Sequence, residues 1–183
     1  TKSRGLGDVY KRQAIKDMAG LLRPRTCYEL VKKLKKNLNI PIHLHTHSTT
    51  GLSDATNFKA YEAGIDNIDT SISSFSNLYA HTATESFISM MYSEENNPFD
   101  MELLTKISVY FNEVRKKYKK YEGSMRGVDV NMLTNQVPGG MLSILEKQLL
   151  DLNKADKFKL LIDEIPKIRK DVGYVPLVTP SSQ

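Results

Sequence analysis

The stretch Ile40-Pro41-Ile42-His43-Leu44-His45-Thr46-His47 constrains this chain more than any other. Its residues alternate, and an extended strand with a two-residue side-chain period puts the three imidazoles on one face and Ile42 and Leu44 on the other. Ser48-Thr49-Thr50-Gly51 then turns the chain. On both sides of this strand the period becomes helical. Between Pro24 and Leu38, Tyr28, Leu30, Val31, Leu34 and Leu38 recur at helical spacing, Pro24 suits a first turn, and Lys32, Lys33, Lys35 and Lys36 take mainly the solvated side. A second helix is predicted over about Ser53 to Ala63, ending at Gly64, and Ile65 to Thr70 reads as the next strand. Ala14-Ile15-Lys16-Asp17 reads as the end of an earlier strand. Strands alternating with helices at this spacing imply parallel βα units, so an α/β barrel is the leading fold.

The second half changes character. Thr82 to Tyr92, Met101 to Tyr121, Met141 to Leu152 and Ala155 to Val172 read as helices, with breaks at Gly123 and Val137-Pro138-Gly139-Gly140. The cluster Arg115-Lys116-Lys117-Tyr118-Lys119-Lys120-Tyr121 has the composition of a nucleic-acid patch with interleaved aromatics. The preferred reading is a solvated helix face with the tyrosines packed on the opposite side.

Charge supports that preference. The formal net charge is +5, but the first thirteen residues hold Lys2, Arg4, Lys11 and Arg12 against only Asp8, which leaves an excess of two for the rest. No nucleic-acid partner is expected from so small an excess. Residues 1–13 are themselves suspect, because Asp8 to Gln13 matches what one reading frame of a widely used sequencing-transposon end would encode. Cys27 is the sole cysteine, so no disulfide framework is possible, and neither a secretory signal nor a membrane-spanning apolar run is evident. A reducing, cytoplasmic setting is the expectation.

Three imidazoles on one strand face suit metal binding, since neighbouring histidines can converge on one ion from a rigid base. Spacing alone leaves a polar strand face with incidental histidines as the alternative. Chemistry in a parallel barrel sits at the C-terminal strand ends, which selects His45 and His47 over the deeper His43. Lys16, at the end of the first strand, is the second oddity. An ammonium there is costly unless paired, for instance with Asp17 or Asp69. Alternatively, desolvation and a nearby metal would favour the neutral amine, which adds carbon dioxide to form a carbamate, in effect a carboxylate on a long arm.

Five segments in order carry a resemblance: Ala14 to Leu22, His43-Leu44-His45-Thr46-His47-Ser48-Thr49-Thr50-Gly51, Asp69-Thr70-Ser71-Ile72-Ser73-Ser74, Gln136-Val137-Pro138-Gly139-Gly140-Met141, and Pro176-Leu177-Val178-Thr179-Pro180-Ser181-Ser182-Gln183. Together they resemble the signature segments of the biotin-dependent carboxyltransferases. The resemblance implies the C-terminal part of a TIM-type (β/α)8 barrel over 14–95, followed by a mostly helical extension over 96–183. It implies that Lys16, as a carbamate, His45 and His47 bind a divalent metal, with zinc favoured and cobalt or manganese acceptable. Thr179 is similar to the family threonine that shuttles a proton between biotin and the enol of pyruvate, and Ser182 falls where the family lines its biotin pocket.

Further expectations come from the same source. The family's aspartate ligand and its arginine for the substrate carboxylate lie upstream of Ala14, so residues 14–183 alone are expected to be inactive. No biotin acceptor segment is present, so biotin is expected on a separate carrier domain or subunit. Oxaloacetate and pyruvate are the implied substrates, and a homo-oligomer is implied. Ile144 departs from the asparagine that relatives generally carry.

Within the family, Phe111-Asn112-Glu113-Val114-Arg115-Lys116-Lys117-Tyr118 and Glu164-Ile165-Pro166 look closest to the oxaloacetate decarboxylase α subunit, which would add membrane ion-pump subunits as partners. The carboxyltransferase subunit of a two-subunit pyruvate carboxylase and the transcarboxylase subunit are the alternatives. A metal-dependent aldolase or acyl-lyase barrel would share the His-x-His pair without needing Lys16, Thr179 or biotin.

Overall fold

A computed structural model describes residues 12–123, 126–130, 132–135 and 139–174, the side chains of 134, 135, 139, 140 and 143 excepted. Three strands, β1 (Gln13–Asp17), β2 (Ile42–Thr46) and β3 (Asn67–Ile68), lie in the order β1-β2-β3, each pair parallel. Helix α1 (Pro24–Asn37) joins the first two and α2 (Ser53–Glu62) the last two, as a parallel sheet requires.

Register sorts the side chains. Ile15 pairs with Leu44 and Leu44 with Ile68, so these three share one face. There they meet Cys27 and Val31 of α1, Ala60 of α2 and the following Ala63 in the first apolar core, with Leu22 and Ile65 packed against it. Burial pushes the Cys27 thiol up to about 11, with the Asp17 charge adding to the effect, so this cysteine is an inert core residue. The other row, Lys16 beside His45 and Ala14 beside His43, faces away from α1 and α2.

The expected elements form with shorter strands. The strand predicted from Ile40 to His47 is Ile42–Thr46, and the one predicted from Ile65 to Thr70 keeps only Asn67–Ile68. Beyond Ile68 the backbone turns to a new partner, Ser71 bridging in parallel to Ala83. Gly64, with φ +86, ends the α2 segment, in keeping with its place in the sequence.

Helix α3 (Thr84–Met91) follows, then α4 (Met101–Lys117), whose first turn is capped by the Asp100 side chain accepting from the Leu103 amide at 2.8 Å. α4 docks on a 3-10 turn at Ser73–Phe75: Arg115 Nη1 donates to Ser74 O at 2.7 Å, and Phe75 meets Phe111 edge-on. Tyr118 and Tyr121 are exposed, contrary to the expected packing on the opposite side. The helix ends at Lys117, so both tyrosines follow it into a separate 3-10 turn and leave its packed face.

Helices α5 (Met132–Asn135), α6 (Gly139–Asp151) and α7 (Phe158–Asp171) complete the described chain. A second apolar cluster joins Met132 and Leu142 to Ala19, with Leu21, Tyr79, Phe158, Ile162 and Ile165 around it. The Asp129 amide also donates to Thr49 O at 2.8 Å. The helical part is therefore anchored on the loops that follow β1 and β2. No helix among the described residues is long and apolar enough to cross a membrane.

One ion pair closes the far end of the sheet. Asp66 accepts from Lys35 Nζ at 2.8 Å and from the Ile42 amide at 2.7 Å, and these contacts, Lys35 first, hold its carboxyl below the usual value of 3.8. A depressed folded-state pKa adds stability above the ordinary carboxylate value, and that contribution disappears as pH falls through the folded value. Asp66→Asn in the full chain should lower Tm by about 2 °C at pH 7, since the pair is exposed. Thermal melts at falling pH should show the difference closing in acid; a gap unchanged down to acid pH would contradict the account.

Candidate metal centre

His43, His45 and His47 emerge along β2 and just past its end, and each is fixed differently. Asp69 sits beside β2, its amide bonded to Leu44 O at 3.0 Å, and its carboxylate accepts from His43 Nε2 and from His45 Nδ1, both at 2.7 Å. Burial alone would raise the Asp69 pKa, but the bonds from His45 and His43 outweigh it and hold the carboxyl low. An ionised carboxylate only accepts, so His45 carries its proton on Nδ1 and keeps the Nε2 lone pair. His47 Nδ1 donates to Tyr79 O at 2.5 Å, with the same result. Burial is the main reason the His47 pKa is lowered, which favours the neutral, ligating form.

The two free nitrogens meet. His45 Nε2 and His47 Nε2 are 3.2 Å apart. With both Nδ1 atoms protonated, two lone pairs confront each other at that distance, an arrangement that a shared cation resolves. Each imidazole thus has the outer anchor typical of a metal-bound histidine, a carboxylate for one and a backbone carbonyl for the other. His81 joins them: one ring nitrogen from each of His45, His47 and His81 lies within 4.8 Å of the others. His43 stands outside that group, engaged with Asp69, and its buried Nδ1 has no partner.

Lys16 pairs in register with His45 and so lies on the imidazole face. It is exposed, and neither Asp17 nor Asp69 is available to it as a partner. Asp17 points to the other face, where it accepts from Leu21 N at 2.9 Å, Leu22 N at 2.8 Å and Thr46 Oγ1 at 2.9 Å. Asp69 is taken up by the two histidines. Thr179 and Ser182 lie outside the described residues.

The turn after β2 holds the rim together. Gly20, with φ +67, approaches so closely that a Cβ there would lie 2.5 Å from His47 O, and Thr50 Oγ1 donates to Gly20 O. Only glycine fits this crossing. A cleft of about 310 Å³ opens beside the same rim, lined by Asn77, Leu78, Tyr79, Ala80, Arg115 and Arg126 among others, and none of the imidazoles lines it.

Two residues of the centre are not marked as site residues by the sequence. Asp69 stands out there only as a partner for Lys16, and its pairing with two histidines depends on register. His81 has no periodic context, yet the chain has four histidines and this is the one outside the alternating strand. In a parallel sheet it follows the next strand, and loops after successive strands share one rim.

Comparison with known proteins gives the chain its family. The HMGL-like family profile matches residues 11–111, and a conserved carboxylase domain profile matches residues 132–183. A pyruvate carboxylase subunit of Methanocaldococcus jannaschii is 46% identical over 92% of the chain and 30% of its own length. The methylmalonyl-CoA carboxyltransferase 5S subunit of Propionibacterium freudenreichii subsp. shermanii is 43% identical over 93% of the chain and 34% of its own length. Among solved structures, the carboxyl transferase domain of Rhizobium etli pyruvate carboxylase with pyruvate and biocytin superimposes with a TM-score of 0.87 at 31% identity, over 93% of this chain and 29% of that one. The chain thus spans about a third or less of the length of these relatives.

Asp69→Asn in the full chain should weaken zinc binding about 10- to 100-fold, because an amide has one acceptor oxygen for two histidine donors and frees one ring to turn. Competition with a chromophoric chelator measures this. An unchanged dissociation constant would mean that Asp69 does not orient His45.

Proposed function

The chain belongs to the HMGL-like family, within it to the biotin-dependent carboxyltransferases, and on that premise we propose that it carries the metal-binding rim of an enzyme that moves a carboxyl group between biotin and pyruvate. The observation that carries the proposal is the convergence of His45 and His47 Nε2 with both Nδ1 atoms anchored from behind. A divalent metal held there would act as a Lewis acid, countering negative charge as a keto acid becomes its enolate. His45 and His47 would hold it, with Lys16 as a carbamate on the same face. The nitrogen donors suit zinc or cobalt better than manganese.

The remaining steps belong to side chains. The methyl group of pyruvate must lose a proton, and N1 of biotin must gain one when it releases carbon dioxide. Thr179 is proposed to carry that proton from one to the other through its hydroxyl, after which the enolate carbon bonds to carbon dioxide and oxaloacetate results. Ser182 is proposed to line the biotin pocket. Biotin itself would arrive on a carrier domain or subunit, as a partner of this chain.

The relatives shift the balance between branches. Phe111 to Tyr118 and Glu164 to Pro166 favour the oxaloacetate decarboxylase α subunit on sequence alone, yet the pyruvate carboxylase subunits and the 5S subunit support the alternative better. Pyruvate carboxylation is therefore the proposed direction, and the membrane ion-pump partners of the decarboxylase reading take second place with it. We also propose a cytoplasmic location, assembly with further copies, and a division into a partial barrel over 14–95 and a helical extension over 96–183. The acyl-lyase reading fits the His-x-His pair equally well. What favours carboxyl transfer is the carboxylase domain match over 132–183.

In the intact enzyme loaded with zinc, pyruvate release from oxaloacetate should depend on added free biotin, followed through lactate dehydrogenase. Thr179→Ala should cut that rate about 100-fold or more while zinc stays bound, the scale of a lost proton-transfer group. His45→Ala should lose zinc and activity together. Cleavage of an acyl substrate with no response to biotin would instead establish the lyase reading.

A further inference from the structure

We propose that His43 is a positioning residue: it fixes the Asp69 carboxylate and through it aims the His45 ring, a role that rests on the metal reading of His45 and His47. His43 Nε2 and His45 Nδ1 each stand 2.7 Å from a different oxygen of Asp69, Oδ1 for the first and Oδ2 for the second. The two histidines are one strand repeat apart on the same face, so their nitrogens span the two ends of one carboxylate. An ionised carboxylate only accepts, so His43 carries its hydrogen on Nε2. The deeper ring reaches Asp69 with its far nitrogen and the outer ring with its near one, which leaves Nε2 of His45 turned toward His47. The last torsion of an aspartate is broad, and a carboxylate held by one oxygen alone turns within that range. With both oxygens held, Asp69 presents Oδ2 to His45 in one direction.

His43 holds this place against its own cost. Its side chain is only 11% exposed, and Nδ1, left as a bare acceptor, has no partner among the described residues. A buried acceptor without a donor destabilises a fold, and an apolar side chain at the same position would remove that cost. Packing supplies no reason for an imidazole here, since its row neighbours across the sheet are Ala14 and Asn67. Nor does Asp69 need the bond to stay solvated, because its side chain is 37% exposed and water reaches it. What His43 adds that water does not is direction, from a donor fixed to the same strand as His45. A polar group kept at a cost in stability marks a functional site.

His43→Leu in the intact enzyme should raise the zinc dissociation constant about 10-fold in competition with a chromophoric chelator, the scale of a lost group behind a ligand. The melting temperature of the zinc-free variant should hold or rise, because the orphan acceptor goes with the ring. His43→Gln places an amide N–H where Nε2 stands and should restore zinc affinity. His43→Asn, one methylene shorter, leaves Asp69 out of reach and should bind zinc as weakly as His43→Leu. Zinc affinity unchanged in His43→Leu would overturn the role of His43 and leave His45 and His47 standing, and a lowered melting temperature beside it would assign His43 to packing. Equal affinity in the glutamine and asparagine variants would overturn it too, and that comparison decides even where His43→Leu does not fold. Absence of zinc from the wild type would overturn the metal reading itself.

Discussion

The parallel register of β1 and β2 is the constraint on which the rest of the structure depends. Five pairs, from Gln13 opposite Ile42 to Asp17 opposite Thr46, set which side chains look toward the helices and which toward the imidazoles. A slip of one residue would send Leu44 to the histidine face and His45 into the apolar core, so the core and the histidine cluster are two readings of one alignment. Asp17 fixes it. Its carboxylate reaches across to Thr46 Oγ1 in its own register row, and takes the amides of Leu21 and Leu22 as the chain turns toward α1. A single side chain thus pins two strands and starts the crossover between them.

From there order passes outward through hydroxyls and carbonyls. Thr50 holds Gly20, the close approach of Gly20 to His47 fixes the strand end, and Ser48, Ser53 and Thr82 connect that end to the loop bearing His81. These polar groups are buried, and burial is tolerable only because each link supplies the next with a partner. The helical part reaches the same place from outside, with Asp129 on Thr49 and Met132 against Ala19. Tyr79 serves both systems, its ring packed in the second apolar cluster and its carbonyl holding His47. A disturbance of α5 to α7 therefore has a short route to His45 and His47.

How much the sequence reveals follows from the range of the forces involved. Period-two alternation and helical spacing are local, and they place β2, α1 to α4, α6 and α7 to within a few residues, though not the short α5. Strand ends are less legible, because Ile68 stops pairing where Ser71 finds Ala83, a contact between segments twelve residues apart. The histidines of β2 are visible because a strand displays its own face. Asp69 and His81 contribute from other segments, and nothing in their neighbours marks them. The tyrosines after α4 depart from expectation for a simpler reason: the helix stops at Lys117, and helical geometry no longer governs where Tyr118 and Tyr121 point.

The electrostatics of the rim suit a cation. Asp69 holds its negative charge behind His45, while burial keeps His47 neutral, so charge is supplied from the rear and lone pairs are presented at the front. Such a centre is polarised toward a cation before one arrives. Lys16 stands on the same face, unpaired with either nearby aspartate, and is the side chain that carbamate formation would turn from a repelling cation into an anionic ligand. Carbon dioxide is also the group that a carboxyltransferase moves. On the proposed reading, a lysine that needs carbon dioxide to become a ligand would tie the assembly of the centre to the presence of its own reactant, a dependence from which an acyl-lyase would gain nothing.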